Sequence, residues 1–489
     1  MSLDAGAPAN LGARAQIASL KSRWVNVAGS EALLNGRHAA GAGASLSERL
    51  YRRLDTRLFS RGGWTESRYL GSLGSSEAVA PPWILVDERN VRLPPGVEGL
   101  CVEYEGLPSS SLQEAVRRVI GHPGAMLSVQ VWLIRDGISA RLLLSGRLFL
   151  DHRSFHRSVL LCAAKLPMLL TAAWQRSQLQ VPSTSIPSGP EGVRQPLSAW
   201  KQLRRLVANA LRWLLWNERW VLEYGIANES SHRPRQVTGR FDPPHGMICA
   251  DPFVIDIGSR RWLLYEELRQ SVNRGYIAAM PIDGERLRPD RRQVVLSEPW
   301  HLSYPFVWRE GDAVYLVPEA NESRALTAYR IIDGDLKLRR CDPWISGIRL
   351  ADATIVRCAG RLWLFAAGAD AGASLNDALH VYWAEHIEGP WHAHKLNPVK
   401  IDAGSARPAG EMWIYEGHIH RVVQDCSSAY GGRVRCMRVT RLTEDEFDEE
   451  EVADWASDFD QGDEPWHTFN CVGPLMVSDR LVTWPRWRS

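Results

Sequence analysis

The sequence predicts a mainly β protein, with a five-bladed β-propeller in the C-terminal half preceded by a smaller α/β domain. From Trp220 onward, short β-like runs recur between Asp-Gly, Gly-Asp and Gly-Pro turns, and long helical periods disappear. These runs form a weak internal repeat. The first half instead mixes apolar β-like runs with stretches of helical spacing.

Composition excludes several classes of protein. The chain has 489 residues, of which 45% are hydrophobic and 23% charged, as in ordinary globular proteins. Its 58 Lys and Arg nearly balance 56 Asp and Glu, so charge gives no case for nucleic acid as a partner. The 21 Trp suit pocket linings and sugar-stacking platforms as well as cores, and packing in a β core is the more general role.

The eight Cys are spread along the chain without a CxxC pair, so we predict no metal site, no cofactor and reduced thiols. The N-terminus lacks the continuous apolar core of a signal peptide. The longest apolar stretch, Ser158–Trp174, contains Lys165 and Pro167 and is too short to span a bilayer comfortably. We therefore expect a cytoplasmic protein, with an oligomeric state that the sequence does not define.

The first half is predicted to contain a weakly ordered N-terminus (1–48), an α/β domain (49–180) and a linker (181–196) with four Pro. Within the domain, Ser111–Ile120 has helical spacing with a Ser N-cap, and Ser154–Arg176 is predicted to be a helix that Pro167 kinks.

Residues 197–218 are predicted to form an amphipathic helix. Its apolar side holds Trp200, Leu203, Val207, Leu211, Leu214 and Leu215, and its wetter side holds Lys201, Arg204, Arg205 and Arg212. Two interpretations stay open: peripheral contact of the 198–216 segment with an anionic membrane, and packing against the neighbouring domain, which is the favoured one.

The repeat divides residues 219–489 into blade-like units. The second residues of four units, at positions 252, 305, 353 and 408, are 53, 48 and 55 apart. Each unit has an inner strand, a turn, an aromatic second strand and a third run, as in propeller blades. Residues 467–484 suggest a fifth, shorter unit, and Arg219–Ile226 is predicted to supply its outer strand and close the ring.

In a propeller the first residues of the inner strands gather at one mouth of the central channel. The repeat therefore brings together Asp251, Tyr304, Asp352 and Arg407. Carboxylates accept hydrogen bonds from hydroxyl groups and Arg binds carboxylates or phosphates, so this set fits a sugar, sugar-phosphate or glycolipid ligand. The alternative for each Asp is a local Asx turn.

The second half resembles known proteins over nearly its whole length. The motifs that carry the resemblance are ADPFV (250–254), HLSYPFVWREGDAVYLVPEAN (301–321), LADATIV (350–356), EGPWHAHKLNPV (388–399), SARPAG (405–410), QDCSSAYGGRV (424–434) and HTFN (467–470). They are similar to the five-bladed propeller of the arabinanase and β-xylosidase clan of glycoside hydrolases. They are more closely similar to the propeller in the N-terminal part of plant glucosamine inositolphosphorylceramide transferases and their bacterial relatives.

The resemblance implies catalytic candidates. In the hydrolase clan an Asp of the first blade is the general base, an Asp of the second tunes the pKa, and a Glu of the third is the general acid. Asp251 matches the first position, whereas Tyr304-Pro305 and Asp352 replace the other two. Asp251 with Asp352 could still flank a scissile bond, and Glu319 is a further acid candidate. By motif, the remaining ligand-binding candidates at the same mouth are His301, Ser405, Gln424, Asp425, Tyr430, His467 and Asn470.

Residues 142–170 resemble the end of a folate-dependent formyltransferase region, but the catalytic Asn, His and Asp set of that family is missing. This resemblance implies a remnant domain without its own catalysis. Three functions fit the whole chain: a transferase-type enzyme of glycolipid or surface-glycan synthesis, a glycoside hydrolase, or a non-catalytic glycan-binding scaffold. The departures from the hydrolase pattern favour the first.

Overall fold

The computed structural model describes residues 83–86, 98–179 and 198–486, with gaps at 123, 136–138, 285, 371, 457–458 and 460–463, and also residues 89 and 93. The predicted N-terminal segment 1–48 and the linker 181–196 lie outside the described residues. Within the described part the structure is mainly β, as predicted. The chain divides into two compact units, Met1–Asn209 with Ala371–Ala373 and Ala210–Asp370 with Ser374–Ser489.

Up to Leu179, the described residues of the first unit form one mixed sheet, one short 3-10 helix (Ser109–Ser111) and two α-helices. Its elements are β1 (Trp83–Val86), β2 (Glu98–Tyr104), β3 (Leu107–Pro108), α1 (Leu112–Val119), β4 (Leu127–Arg135), β5 (Ser139–Leu148) and α2 (Phe155–Leu179). The sheet order is β1-β2-β4-β5, with β1 and β2 parallel and the other pairs antiparallel. Ser111 occupies the N-cap position of α1 but makes no side-chain capping bond.

Helix α2 is longer than predicted. By length and composition alone it could cross a membrane, although half of its most apolar window is buried inside the protein. Core helices of soluble proteins meet the same criteria. Lys165 and Arg176 are buried on this helix, and the Arg176 guanidinium donates to the carbonyl of Ala172 at 3.2 Å.

Helix α3 (Ala199–Leu215) follows, and β6 (Trp216–Ala227) begins directly after it. The predicted helix therefore ends three residues too late, because residues 216–218 already pair in a sheet. Of the six predicted apolar positions of α3, only Leu203 is buried, and the other five are exposed. Packing of this whole apolar side against a neighbouring domain is therefore wrong.

The second unit consists of five antiparallel sheets. Its strands after β6 are β7 (Pro234–Phe241), β8 (Met247–Ile257), β9 (Arg260–Arg269), β10 (Arg274–Asp283), β11 (Arg286–Leu287), β12 (Gln293–Leu296), β13 (Ser303–Glu310), β14 (Ala313–Glu319), β15 (Ala325–Ile331), β16 (Leu338–Ser346), β17 (Arg349–Cys358), β18 (Arg361–Ala369), β19 (Ala378–Ala384), β20 (His392–Ala393), β21 (Lys400–Ile401), β22 (Pro408–Tyr415), β23 (His418–Asp425), β24 (Arg433–Leu442), β25 (Phe447–Glu451), β26 (Phe469–Val472) and β27 (Leu475–Pro485).

Each sheet starts from a strand that contacts the first strands of two other sheets. β8 contacts β13, β13 contacts β17, β17 contacts β22, β22 contacts β26, and β26 returns to β8. Buried apolar side chains fill the space between successive sheets. For example, the Phe253 ring of β8 lies 6.0 Å from the Phe306 ring of β13 in an edge-on arrangement.

The last sheet joins the two ends of the second unit. Its strand order is β26-β27-β6-β7, and β27 pairs with β6 along eleven residues from Leu475 to Pro485. Arg219–Ile226 therefore does complete the last sheet, but as its third strand. The prediction of an outer strand is wrong because Pro234–Phe241 covers that edge. The C-terminal segment supplies only β26 and β27 of this sheet. The other two strands, β6 and β7, come from a segment more than 200 residues earlier in the chain.

Candidate functional site

Three equivalent backbone positions define the candidate site. Asp251, Tyr304 and Asp352 have positive φ angles of 53°, 45° and 54°. Each lies in a β-bulge of the first strand of its sheet, where the register shifts. Non-glycine residues rarely adopt this left-handed conformation, and bulges re-aim side chains near functional sites. The repeat therefore aligned residues that are equivalent in the structure.

Asp251 links three sheets through its buried carboxylate. Its Oδ1 accepts a hydrogen bond from the Thr468 hydroxyl at 2.6 Å, and its Oδ2 accepts one from the backbone N–H of Tyr304 at 3.1 Å. His467 Nε2 lies 3.1 Å from Oδ1. Burial opposes the charge of Asp251, but the His467 imidazolium and these donors hold its pKa below the ordinary value.

His467 lies between two carboxylates. Its Nδ1 is 2.9 Å from Oδ2 of Asp479, which is fully buried and also accepts the backbone N–H groups of Asp251, His467 and Thr468. Burial lowers the pKa of His467, but the charges of Asp479 and Asp251 outweigh it and raise the pKa to about 10. Both ring nitrogens are therefore protonated at neutral pH.

The same three residues could be considered as metal ligands, because donor atoms of Asp251, His467 and Asp479 lie within 4.8 Å of one another. A metal ion binds only a deprotonated imidazole nitrogen. In this arrangement the two ring nitrogens lie 3.1 Å from Asp251 and 2.9 Å from Asp479, so a protonated ring forms an ion pair with each carboxylate. The arrangement favours a protonated histidine over a metal centre.

A second group of charges surrounds Arg407, which directly precedes β22. Its Nε donates to Oδ2 of Asp352 at 2.5 Å, and a terminal nitrogen donates to Oε2 of Glu319 at 3.3 Å. The other terminal nitrogen donates to Oδ1 of Asn376 at 3.0 Å. Gln424 Nε2 adds a donor to Asp352 at 3.0 Å. Three residues distant in sequence, Glu319, Asp352 and Asn376, thus meet at one guanidinium.

The carboxyl groups of Asp352 and Glu319 both contact the Arg407 guanidinium, and all three side chains are buried. Burial raises the pKa of Asp352 well above its ordinary value, and the neighbouring Glu319 carboxylate adds to this against the opposing effect of Arg407. With two acids and one cation, a proton on the Asp352 carboxyl leaves the group neutral. This carboxyl can release or take up a proton.

Two tyrosines connect the Asp251 and Asp352 groups. The Tyr304 hydroxyl lies 2.8 Å from the Thr354 hydroxyl, two residues beyond Asp352, while its backbone N–H reaches Asp251. The Tyr430 ring packs 4.8 Å from the Arg407 guanidinium and 5.5 Å from the His467 ring. Tyr430 is 41% exposed, so solvent reaches this point of the site. We call the whole set the central cluster: Asp251, Tyr304, Glu319, Asp352, Arg407, Tyr430 and His467.

His301 lies beside this cluster and is partly exposed. Its Nδ1 accepts the backbone N–H of Gly275 at 3.0 Å, and its Nε2 lies 3.1 Å from Oε1 of Glu266. The backbone donor fixes the tautomer, with the ring proton on Nε2 pointing at the carboxylate. Burial raises the pKa of Glu266.

Three predicted ligand-binding residues have hydrogen-bond partners within the protein. The Ser405 hydroxyl donates to Asp402 at 2.6 Å, and Asp425 accepts the backbone N–H of Ser427 at 3.0 Å in a turn. The Asn470 side chain donates to the carbonyl of Pro252 at 2.7 Å and accepts the N–H of Glu411 at 2.6 Å. These contacts explain their burial or turn position without a ligand.

Sequence reasoning missed Asp479, Thr468 and Asn376. Asp479 sits within an apolar strand run, and a carboxylate at such a position must find buried partners, which was the available signal. Thr468 adjoins His467 in the HTFN motif. Asn376 belongs to a loop between β18 and β19 and gives no signal in the sequence.

Comparison with known proteins gives matches to the segment that contains the central cluster. Residues 242–471 match the family model described as glucosamine inositolphosphorylceramide transferase 1, N-terminal. Every member of the central cluster lies in this segment. The protein named glucosamine inositolphosphorylceramide transferase 1 of Oryza sativa subsp. japonica is 31% identical over 223 residues, which are 45% of this chain and 30% of the relative. The protein of that name from Arabidopsis thaliana is 33% identical over 210 residues, 42% of this chain and 27% of the relative.

The matched part of the chain thus spans less than a third of the length of these curated relatives. Among solved structures, a family 117 glycoside hydrolase from Zobellia galactanivorans aligns with a TM-score of 0.35 and 12% identity, over 54% of this chain and 90% of its own. A thermostable family-43 glycoside hydrolase aligns with a TM-score of 0.31 and 13% identity, over 41% and 74%. These likenesses are weak. The description of the five sheets given above depends only on the strand pairing within this protein.

Proposed function

We propose that this protein binds the sugar-bearing headgroup of a glycolipid and acts as a transferase-type enzyme, or as the acceptor-binding component of one, in glycolipid or surface-glycan synthesis. The five sheets are the blades of one propeller, and the central cluster is its site. The observation that carries the proposal is the match of residues 242–471 to a family named for glucosamine transfer to inositolphosphorylceramide, because this segment also supplies the whole cluster.

The chemistry of the cluster supports a polyhydroxylated ligand. The exposed Tyr430 ring offers a flat apolar face for a sugar ring, and Arg407 behind it fixes its position. Beside it, the Asp352–Glu319 pair offers carboxyl oxygens that accept hydrogen bonds from sugar hydroxyls or an amino group. His301 adds a partly exposed polar edge.

The same cluster supports proton transfer. In glycosyl transfer, an acceptor hydroxyl attacks the anomeric carbon, the bond to the leaving group breaks, and the hydroxyl proton passes to a base. The Asp352 carboxyl, whose pKa is raised by burial, can exchange a proton with a ligand oxygen. Asp251 and His467 hold fixed charges next to it, which can stabilise charge that develops during the reaction.

Glycoside hydrolysis is the second candidate, supported by the presence of two acidic groups with pKa values shifted in opposite directions. It is the weaker candidate because Asp251, the proposed general base, already accepts hydrogen bonds from Thr468, Tyr304 and His467. A carboxylate whose pKa is lowered is a poor base at neutral pH. A non-catalytic glycan-binding protein would need only the sugar-binding surface at Tyr430 and Arg407 and no proton transfer.

The test is a transfer assay with the full chain, radiolabelled nucleotide sugars of glucosamine and N-acetylglucosamine, and vesicles containing inositolphosphorylceramide. We expect a labelled glycolipid with the wild type and at least a hundredfold less with Asp352→Asn. The matched control is Asp445→Asn, which removes an exposed carboxylate paired with Lys395 and should leave the rate unchanged. Ligand binding without product favours the scaffold, and release of free sugar from a glycoside favours the hydrolase.

A further inference from the structure

Helix α3 carries an apolar surface that faces solvent. Five large apolar side chains of this one helix are between 43 and 62% exposed: Trp200, Val207, Leu211, Leu214 and Leu215. At 100° per residue they fall within an arc of about 100°, so they form a stripe along the helix axis. Soluble proteins rarely leave such a contiguous apolar stripe uncovered unless it binds something.

One edge of the stripe is basic. The segment 198–216 contains four cations, Lys201, Arg204, Arg205 and Arg212, and no Asp or Glu. The guanidinium of Arg205 is turned to the carbonyl of Gly121. Lys201, Arg204 and Arg212 are exposed, with Arg212 also 3.0 Å from Glu218. At 100° per residue Arg204 falls within the arc of the stripe and Lys201 and Arg212 fall beyond one edge of it, so that edge is positively charged although the whole chain is almost neutral.

We propose that helix α3 docks the protein on the surface of an anionic lipid bilayer, lying parallel to it with the stripe buried among the headgroups. An interfacial helix needs an apolar face with aromatic and leucine side chains and a border of Lys or Arg, and α3 has both. Its two ends carry exposed tryptophans, Trp200 and Trp216, a residue type that favours the bilayer interface. Seventeen residues give a contact about 25 Å long.

Charge decides between a bilayer and a protein partner. A bilayer with anionic headgroups complements cations spread along the whole helix, whereas the stripe is convex and lies on one straight helix rather than in a groove. This docking does not depend on the chemistry of the central cluster. It would hold for a glycolipid-binding scaffold as well as for an enzyme, so failure of the transfer assay leaves it intact.

The test is sedimentation of the full chain with vesicles of phosphatidylcholine alone or with 30 mol% phosphatidylglycerol, a composition of about one anionic lipid in three. We expect binding to the anionic vesicles, weakened by added salt, and little binding to the neutral ones. Lys201→Glu with Arg204→Glu should lower the partition coefficient at least about 25-fold, since each cation near an anionic surface contributes about fivefold. Val207→Ser with Leu211→Ser should lower it by a similar factor.

The matched control is Val272→Ser with Ile414→Ser, which removes two equally exposed apolar side chains outside the helix. It should bind the vesicles as the wild type does, and circular dichroism should report folded protein for all three double variants. Equal sedimentation of the wild type with and without anionic lipid overturns the proposal. Retention of vesicle binding in both α3 variants overturns it as well, as does a concentration-dependent dimer that only the α3 variants abolish in the absence of lipid.

Discussion

Arg407 donates its Nε–H to Asp352 at 2.5 Å, although the two residues are 55 positions apart and belong to different sheets. Both side chains are buried, with 9 and 2% exposure. Taking such charges out of water costs several kcal/mol each unless hydrogen bonds replace the lost solvation. The second unit therefore contains a buried ion-pair centre formed by Arg407, Asp352 and Glu319. Removing one of these partners should leave another buried charge without compensation.

Removal of Arg407 tests this dependence. Arg407→Ala leaves Asp352 and Glu319 buried with no cation between them, so we expect a loss of about 3–5 kcal/mol in unfolding free energy at pH 7. Urea denaturation followed by tryptophan fluorescence measures it. Arg357→Ala, which breaks the exposed pair with Glu310, is the control and should cost no more than about 1 kcal/mol. Similar losses for both variants would show that the charged centre is not a cooperative unit.

The ion pair between Arg421 and Glu449 predicts acid sensitivity. Both side chains are 1% exposed, and Lys400 lies 2.8 Å from the same carboxylate. Burial opposes the charge of Glu449, but Arg421 and Lys400 outweigh it and lower its pKa to about 2. Its stabilising contribution is therefore complete above the unfolded pKa near 4.3 and is lost as the pH falls towards 2.

We expect Glu449→Gln to cost about 3–5 kcal/mol at pH 7 and much less at pH 2.5. Glu450→Gln is the matched control on the same strand, because its partner Arg438 is exposed, and it should change stability by less than about 1 kcal/mol at both pH values. The measurement is the urea midpoint of the three proteins at each pH. A constant cost of Glu449→Gln across this range contradicts the assigned pKa.

His467 predicts the opposite pH dependence. Its pKa is raised to about 10 in the folded protein from about 6.5 in the unfolded chain. The protonated ring therefore contributes fully below pH 6.5, and the contribution is lost as the pH rises through 10. The melting temperature of the wild type should exceed that of His467→Gln by most at pH 6 and by least at pH 10.5. The exposed His245→Gln should show no such trend, and a difference in melting temperature that grows with pH is the outcome that the assignment forbids.

Much of the second unit could be predicted from the sequence because its repeat is carried by local signals. Turn residues and apolar alternation located the strands. The recurrence around Asp251, Tyr304 and Asp352 located three bulges with the same left-handed backbone. The prediction that the β6 segment joins the C-terminal strands is confirmed, but β7, which pairs with the other edge of β6, was not predicted. No local signal in the sequence distinguishes an inner strand of a sheet from an edge strand.

The partners inside the cluster were harder to predict. The motifs placed His467 near Asp251. The other carboxylate beside His467 belongs to Asp479 on β27, which lies outside the motifs that carry the family resemblance. Ser405 and Asn470 are predicted to contact ligand, and in the structure the Ser405 hydroxyl donates to the Asp402 carboxylate while the Asn470 amide donates to the carbonyl of Pro252. The exposure of the apolar side of α3 was also not predicted. An amphipathic pattern shows that a helix has an apolar and a polar face, but it does not show which face packs against the protein.

Gly410 tests the contact between the fourth and fifth sheets. Its φ is 154°, and an added Cβ would lie 1.9 Å from the carbonyl oxygen of Phe469. Because that oxygen belongs to the backbone of β26, Gly410→Ala must separate the two strands and should cost about 1–3 kcal/mol or more. Gly334→Ala, with no atom within 4 Å of its Cβ position, is the control. Equal urea midpoints for these two variants would show that the fourth and fifth sheets do not meet this closely.

The most direct test of the sugar-binding site is calorimetric titration of a soluble glucosaminyl inositol phosphate into the full chain and its Tyr430→Ala variant. Tyr430 is the member of the cluster with an exposed ring, so its removal should spare the fold while removing the surface for the sugar. Ile414→Ala, an exposed apolar position on β22, is the control. The proposed function predicts saturable binding to the wild type and control, and at least about tenfold weaker binding, or 1.4 kcal/mol, to Tyr430→Ala. Identical affinity of all three proteins, or no binding by the wild type, would contradict a sugar site at the central cluster.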